Sequence, residues 1–313
     1  GPGMTIEARG VAEVGARRGA NASRSARSLT VAINAQIDPA QAGGVESALQ
    51  GLFRELATSD GSERYVLLGT ERYADALQPL SGPNQTVVAW PFHLPAKFRR
   101  MTPRWRSLRA RSGALGPAVE AAHWGWWQAR RATERRPTAH QSDALLAARG
   151  VGVVHFPSPT RFPTSLPYLY EPWDLLHRHH PEFFTTGERR WRDTTYRAGC
   201  EGAALVVTAT RWTKQDVVRQ FGIDPRKVAV IPRGPWLAAP RSAEEPGDTR
   251  VLAGLPESFV LYPAMTFPHK NHVRLFEAMA ILRDRQGVVL PLVCTGRHYD
   301  PHWPEVVRTV ERL

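Results

Sequence analysis

The chain has 313 residues, enough for two domains of ordinary size that each bury a hydrophobic core. Its formal net charge of +12 favours an anionic partner such as nucleic acid, anionic lipid or a phosphorylated small molecule, and charge alone does not choose among them. No apolar run approaches the roughly 18 residues of a membrane span and no signal peptide is visible, so we expect a cytoplasmic protein.

The chain begins with an arginine-rich stretch that is poor in large apolar residues. Gly-Pro-Gly before Met4 is typical of an expression-tag remnant, and residues 1–29 are predicted to be disordered. After them, apolar runs alternate with helical patterns. Strands are predicted at 29–36, 64–69, 86–91, 151–157, 166–172, 204–210 and 227–232, and helices at 45–57, 142–150 (with Ser142 as N-cap), 186–202 and 211–222. The alternation predicts an α/β domain over 30–235, built on a parallel sheet with helices on both faces.

A second unit follows a stretch rich in proline, glycine and charge, 236–250, which is typical of an interdomain linker. Strands are predicted at 259–264 and 288–296, and helices at 271–285 and 303–313. Two strands leave sheet faces and edges poorly covered, so 251–313 is predicted to be the first part of a second α/β domain. Cys200 and Cys294 show no metal-type spacing, and we expect both to be buried free thiols.

Residues 94–136 form a basic insert within the first domain. They hold ten arginines and one lysine against two glutamates. Interleaved with these charges are Trp105, Trp124, Trp126 and Trp127. Cations beside interfacial aromatics favour an anionic membrane surface, and the same residue types suit a nucleic-acid groove in which bases stack on tryptophan. The third interpretation is a helical excursion whose aromatic rings pack on the domain while its arginines face water.

Four stretches, in this order and each on its expected element, resemble a known family. They are GGVE (43–46), WDLLHRHHPEFF (173–184), VVTATRWTKQDVVRQFGIDPRKVAVIPRG (206–234) and LYPAMTFPHKNHVRLFEAM (261–279). The chain, over roughly 30–313, resembles the retaining GT-B glycosyltransferases of glycosyltransferase family 4, bacterial mannosyltransferase-like members most of all, with a truncated C-terminal domain. The resemblance implies two Rossmann-like domains, with the acceptor held by the first and the nucleotide-sugar donor by the second.

The candidate donor-binding positions include two glycines and a lysine–asparagine pair, namely Gly43, Gly44, Lys270 and Asn271. Gly43 and Gly44 lie between a strand and a helix, where backbone amides can approach a phosphate with no Cβ in the way, although the pair also suits an ordinary turn. Lys270 and Asn271 begin a later helix, whose positive end and the compact ammonium converge. The resemblance implies that Lys270 binds the donor diphosphate and stabilises the leaving group; the alternative is a surface lysine beside a helix cap.

The sequence departs from the family pattern at one donor position. Many relatives carry an arginine five residues before the lysine, and this chain has Met265 there. Arg233 and Arg297 are the candidate replacements for donor binding.

Histidines and one aspartate are the candidate acceptor residues. By resemblance, Asp174 and His177 contact the acceptor or the transferred sugar, and either can accept the acceptor's hydroxyl proton. Otherwise Asp174 caps the following turn and His177 is a solvated loop residue. His155 ends a strand and either lines the acceptor pocket or is an ordinary strand-end histidine. The spacing of His177, His179 and His180 fits no zinc pattern, so we predict no metal and no cofactor.

The resulting hypothesis is a retaining glycosyltransferase of polysaccharide biosynthesis. It would transfer a mannose-like hexose from a nucleotide-sugar, such as GDP-mannose, to a glycan or lipid-linked acceptor. It would work in the cytoplasm, peripherally on the inner membrane face through 94–136, with a missing C-terminal portion or a second polypeptide completing the donor site. One alternative is a non-catalytic acceptor-binding or scaffolding half of a split glycosyltransferase. A nucleic-acid binder rests on charge and the insert alone, and no nucleic acid is expected.

Overall fold

The computed structural model describes most of the predicted elements of the chain. The described residues are 28–36, 44–78, 81–92, 108, 111–116, 118–119, 121–123, 125–126, 137–234 and 254–313. The predictions of disorder over most of 1–29, of a linker at 236–250 and of a membrane or nucleic-acid surface over most of 94–136 lie outside these residues. Within the described part of the chain, no helix is long and apolar enough to cross a bilayer.

A seven-stranded sheet organises the first unit. Its strands are β1 (Thr30–Asn34), β2 (Arg64–Gly69), β3 (Gln85–Ala89), β4 (Val153–Phe156), β5 (Tyr168–Tyr170), β6 (Leu205–Thr208) and β7 (Val228–Val230). All neighbouring strands are parallel, in the order β3-β2-β1-β4-β5-β6-β7. The direction of the strand order reverses between β1 and β4, as in doubly wound nucleotide-binding folds.

The helices follow the strands as an alternating α/β pattern requires. They are α1 (Gly44–Ala57), α2 (Glu71–Leu77), α3 (Ala139–Ala147), α4 (Leu176–His179), α5 (Thr186–Gly202), α6 (Arg211–Phe221), α7 (His272–Gln286) and α8 (Trp303–Arg312). Helices α2 and α4 were not predicted. Helix α3 starts earlier than predicted: its N-cap is Thr138, which forms a capping box with Gln141, and Ser142 is buried inside the helix.

Two hydrophobic clusters lie on opposite faces of the sheet because successive strand residues point in opposite directions. Ala32 belongs to the larger cluster and Ile33 to the smaller one. Helix α1 contributes Leu49 and Phe53 to the smaller cluster, and α5 contributes Tyr196 to the larger. The apolar stripes of the helices therefore fix them to the sheet and leave its carboxyl edge for other contacts.

A second, two-stranded parallel sheet consists of β8 (Val260–Pro263) and β9 (Leu292–Thr295), followed by α7 and α8 respectively. The predicted α/β fold class with two parallel sheets is confirmed. One prediction is wrong: Cys200 is buried, but Cys294 in β9 is exposed. Cys294 lies on the face of the small sheet that also carries Val260, which is exposed as well, because Cys294 pairs with Tyr262 and strand side chains alternate between faces.

Candidate active site

Polar side chains fill the point where the strand order reverses. Asn34 ends β1 and donates through Nδ2 to the carbonyl of Thr160 at 3.2 Å, and Gln36 Nε2 donates to Asn34 Oδ1 at 3.1 Å. The hydroxyls of Ser158 and Thr160 are 3.0 Å apart. All four side chains are buried. Since ligands of open α/β sheets bind at this carboxyl edge, these residues form the floor of the candidate site, and the sequence pattern did not single them out.

A carboxylate joins two of the predicted site residues at the same edge. Glu171, directly after β5, lies 2.9 Å from His155 Nε2 through Oε1 and accepts from Arg233 at 2.7 Å through Oε2. The Arg233 guanidinium lies over the Trp173 ring, 3.8 Å from its centroid. The predicted acceptor residue His155 and the predicted donor residue Arg233 therefore share one network, and Arg233 is already occupied by protein groups.

The backbone after β5 is strained. Trp173 has φ 68°, the left-handed region that bulky side chains rarely occupy. Its indole N–H donates to the Pro157 carbonyl at 2.7 Å, which helps hold this conformation. Such strain is typical of functional sites. The turn that follows exposes Asp174, whose Oδ1 accepts from the Leu176 N–H at 3.0 Å. Asp174 thus stabilises its own turn while its residue surface stays exposed.

His177 lies in the protein interior, in neither of the positions that the sequence suggested. Its residue surface is 3% exposed, and its ring packs edge-on against Tyr196 with centroids 5.2 Å apart. Nε2 is 3.7 Å from Asp193 Oδ1. Burial, with a further contribution from the Arg192 charge, lowers the pKa of His177 to about 4. The imidazole is therefore neutral at physiological pH and points toward α5.

The burial of His177 predicts a specific pH dependence of stability. Its folded-state pKa is about 4 and its model value is 6.5, so only the unfolded state binds the proton between these values. The stability that the neutral imidazole supports is present above pH 6.5 and is lost as the pH falls to 4. We expect the free energy of unfolding to fall by up to about 3 kcal/mol more in the unmodified protein than in His177→Gln over this window.

Urea denaturation of both proteins at several pH values between 7 and 4.5 measures this difference. Parallel pH profiles for the two proteins would show that His177 is protonated equally easily in the folded state.

The remaining histidines of the run bind different partners and do not converge. His179 Nε2 lies 2.7 Å from Asp216 Oδ2 on α6, and His180 Nδ1 lies 3.0 Å from Glu182 Oε1. Within the residues that the structure describes, no group of three or more histidine, cysteine or acidic side chains is arranged to hold a metal ion. The run anchors α4 to its neighbouring helices.

The loop after β8 carries Lys270 and Asn271. A single 3-10 turn, Pro268–Lys270, precedes α7, and the Lys270 carbonyl accepts a hydrogen bond from the Tyr262 hydroxyl. Asn271 adopts φ 57° and ψ 41°, which asparagine tolerates, and its side chain does not cap α7. The first-turn N–H groups of α7 therefore receive no acceptor from this N-cap side chain, and the Lys270 side chain is exposed beside them.

The loops that follow β5 and β8 meet. The Phe183 ring, in the 3-10 turn after α4, lies 6.0 Å from the His269 ring, and His180 stacks on Phe183 at 5.3 Å. Burial lowers the pKa of His269; the adjacent Lys270 ammonium lowers it further, and Asp174 opposes the shift. Asp174 and Lys270 therefore act on the same imidazole, one from each sheet.

The remaining predicted donor residues are placed as follows. Gly43 lies outside the described residues. Gly44 opens α1, and a Cβ there would meet none of the described residues within 4 Å, so these residues give no steric reason for glycine. Arg297 follows β9; its carbonyl accepts from the Thr266 N–H at 3.1 Å, so it is tied to the loop that contains Met265, and its side chain is exposed.

Comparison with known proteins gives a family match and distant structural similarities. The family described as Glycosyltransferase Family 4 matches residues 42–235, more than half of the chain. Anabaena Alr3699/HepE in complex with UDP is 14% identical with a TM-score of 0.46, over 91% of this chain and 66% of that one. A glycosyltransferase from Rickettsia africae ESF-5 is 12% identical with a TM-score of 0.46, over 91% and 65%.

A plant protein, Glycyrrhiza uralensis UGT73P12 complexed with glycyrrhetinic acid 3-O-monoglucuronide, is 13% identical with a TM-score of 0.46, over 91% of this chain and 67% of that one. The chain thus spans slightly less than two thirds of the Anabaena and Rickettsia proteins. No curated protein matches it significantly.

Proposed function

The chain belongs to glycosyltransferase family 4, and we propose that it transfers a hexose from a nucleotide-sugar to a glycan or lipid-linked acceptor with retention of configuration. The observation that carries this proposal is the contact between Phe183 and His269, which joins the loops at the carboxyl ends of the two parallel sheets. Ligands of such sheets bind at that edge. Two facing edges suit an acceptor on the first sheet and a donor on the second.

On the donor side, we assign the diphosphate to Lys270 and the first turn of α7. When the bond between the sugar and the diphosphate breaks, negative charge grows on the departing phosphate oxygen. An ammonium and free N–H groups at a helix N-terminus stabilise that charge, which is usually a large contribution to catalysis. On the second sheet, Arg297, which follows β9 and is exposed, is the candidate replacement for the arginine that Met265 displaces.

On the acceptor side, we assign Asp174 to the acceptor hydroxyl. It is exposed, it follows the strained residue Trp173, and it lies close enough to His269 to oppose the lowering of that imidazole's pKa by burial. His155, held by Glu171, lines the same edge. The buried ring of His177 cannot reach a substrate without rearrangement. We therefore give His177 a packing role, in which it holds the turn after Asp174 against α5.

Donor binding and product stereochemistry test this function. Isothermal titration calorimetry with GDP-mannose, UDP-glucose and UDP-N-acetylglucosamine should give binding to one nucleotide class, with the sugar then transferred to a glycan or lipid-linked acceptor. The proton NMR spectrum of the early product should show the same anomeric configuration as the donor. Binding of none of the three donors, or a product of inverted configuration, would contradict the proposal.

A further inference from the structure

Trp212 is an exposed aromatic residue at the carboxyl edge of the first sheet. It occupies the first turn of α6, which begins just beyond the end of β6, and its residue surface is 55% exposed. Among the described residues, none accepts a hydrogen bond from its indole N–H. A single exposed tryptophan is common on protein surfaces, so the side chains around it decide whether it forms a site.

The neighbour of Trp212 is an imidazole in a fixed orientation. The ring centroids of Trp212 and His179 are 5.3 Å apart at an interplanar angle of 50°. His179 Nε2 lies 2.7 Å from Asp216 Oδ2, and Asp216 is fully buried. Trp212 and Asp216 are four residues apart on α6, so they share one face of the helix.

The buried carboxylate determines which imidazole nitrogen faces a ligand. In neutral His179, the proton on Nε2 donates to Asp216, which makes Nδ1 a hydrogen-bond acceptor. No described residue donates to Nδ1. In the described part of the chain, the other carboxylate oxygen, Asp216 Oδ1, accepts no hydrogen bond and has the Arg219 guanidinium at 3.6 Å. Asp216 therefore serves to hold His179 beside the indole.

We propose that Trp212 and His179, oriented by Asp216, form a binding subsite for a neutral pyranose unit of the acceptor glycan. A pyranose presents an apolar face of C–H groups and a rim of hydroxyls. The exposed indole face packs against the C–H groups, and a sugar hydroxyl donates to His179 Nδ1. The free indole N–H supplies a donor for a second hydroxyl.

The position of the subsite connects it to the proposed transfer reaction, on which its role as an acceptor subsite rests. His179 ends the short helix α4, whose first turn is stabilised by Asp174. An acceptor glycan whose terminal sugar meets Asp174 would thus present a neighbouring unit to Trp212. Occupation of the subsite needs no nucleotide-sugar, because none of its three residues belongs to the donor side.

NMR titration without any nucleotide tests the subsite. The indole N–H resonance of Trp212 is assigned by its loss in Trp212→Phe, and methyl α-D-mannopyranoside, methyl α-D-glucopyranoside and an α-linked mannobiose are added in turn. We expect this resonance to shift and saturate with a Kd in the millimolar range for at least one sugar. By saturation-transfer measurement of the same sugar, Trp212→Ala should weaken binding at least tenfold.

Two further variants separate a binding role from a structural one. Trp126 is also exposed (39%) and lies beside a histidine, His123, elsewhere in the chain, so Trp126→Ala is the matched control and should bind like the unmodified protein. His179→Gln, at a partly exposed position, should weaken sugar binding several-fold with an unchanged unfolding midpoint. A Trp212 resonance unmoved by all three sugars, or equal losses in Trp126→Ala and Trp212→Ala, would overturn the subsite. Either result would concern the acceptor subsite alone, because calorimetry with nucleotide-sugars tests donor binding independently.

Discussion

Replacing Lys270 by alanine is expected to reduce kcat for sugar transfer by about 10²–10³-fold, with acceptor binding unchanged. Lys270 directly precedes Asn271, the N-cap of α7. We place the diphosphate there, and its negative charge grows as the sugar departs. Because this charge grows in the transition state, the loss should fall on kcat more than on the acceptor KM. Steady-state kinetics with the donor that calorimetry identifies measures both constants.

The matched control for this variant is Lys227→Ala. Lys227 lies in the 3-10 turn before β7, at the opposite edge of the sheet, and its ammonium contacts the Glu201 carbonyl. That variant should keep its kcat. Turnover of Lys270→Ala within twofold of the unmodified protein would remove the lysine from the mechanism.

Replacing Gly199 by alanine is expected to lower the free energy of unfolding by about 2–3 kcal/mol. A Cβ at Gly199 would lie 2.3 Å from Cζ of Tyr170, and two further ring atoms are within 2.7 Å. Tyr170 cannot move away easily, because it is fully buried in β5 and its hydroxyl donates to the Pro159 carbonyl at 2.9 Å. Helix α5 would have to shift away from the sheet.

Urea denaturation of Gly199→Ala against Gly44→Ala measures this effect at two helical glycines. A Cβ at Gly44 meets no atom of the described chain within 4 Å, so that variant should remain within about 0.5 kcal/mol of the unmodified protein. Equal stabilities of the two variants would mean that α5 does not pack on Tyr170 as closely as the structure has it.

Elements with strong local signals were predictable. The β2 strand Arg64–Gly69 and the α5 helix Thr186–Gly202 coincide with their predicted bounds, the latter because Thr185 and Glu188 form a capping box at its start. Helix α2 was missed because it is a short helix whose main signal is the Thr70 N-cap. The same kind of capping box at Thr138 was present in the sequence and overlooked in favour of Ser142.

The candidate site was less predictable, because its contacts depend on how the strands pair. His155 and Glu171 approach each other only because β4 and β5 are neighbours in parallel register, with Phe156 opposite Tyr170. No local pattern encodes that distance. The burial of His177 was missed for a similar reason: its partner Tyr196 is on α5, and the short helix α4 that turns the ring inward has no periodic signal.

The most direct test of the central claim is a crystal structure of the protein with the nucleoside diphosphate of its donor. It should place diphosphate oxygens within about 3 Å of Lys270 Nζ and of the first-turn N–H groups of α7. The terminal phosphate, which carries the hexose in the intact donor, should face Asp174 across the Phe183–His269 contact. A diphosphate bound away from α7, or a Lys270 ammonium directed away from Asp174, would contradict the proposed glycosyltransferase site.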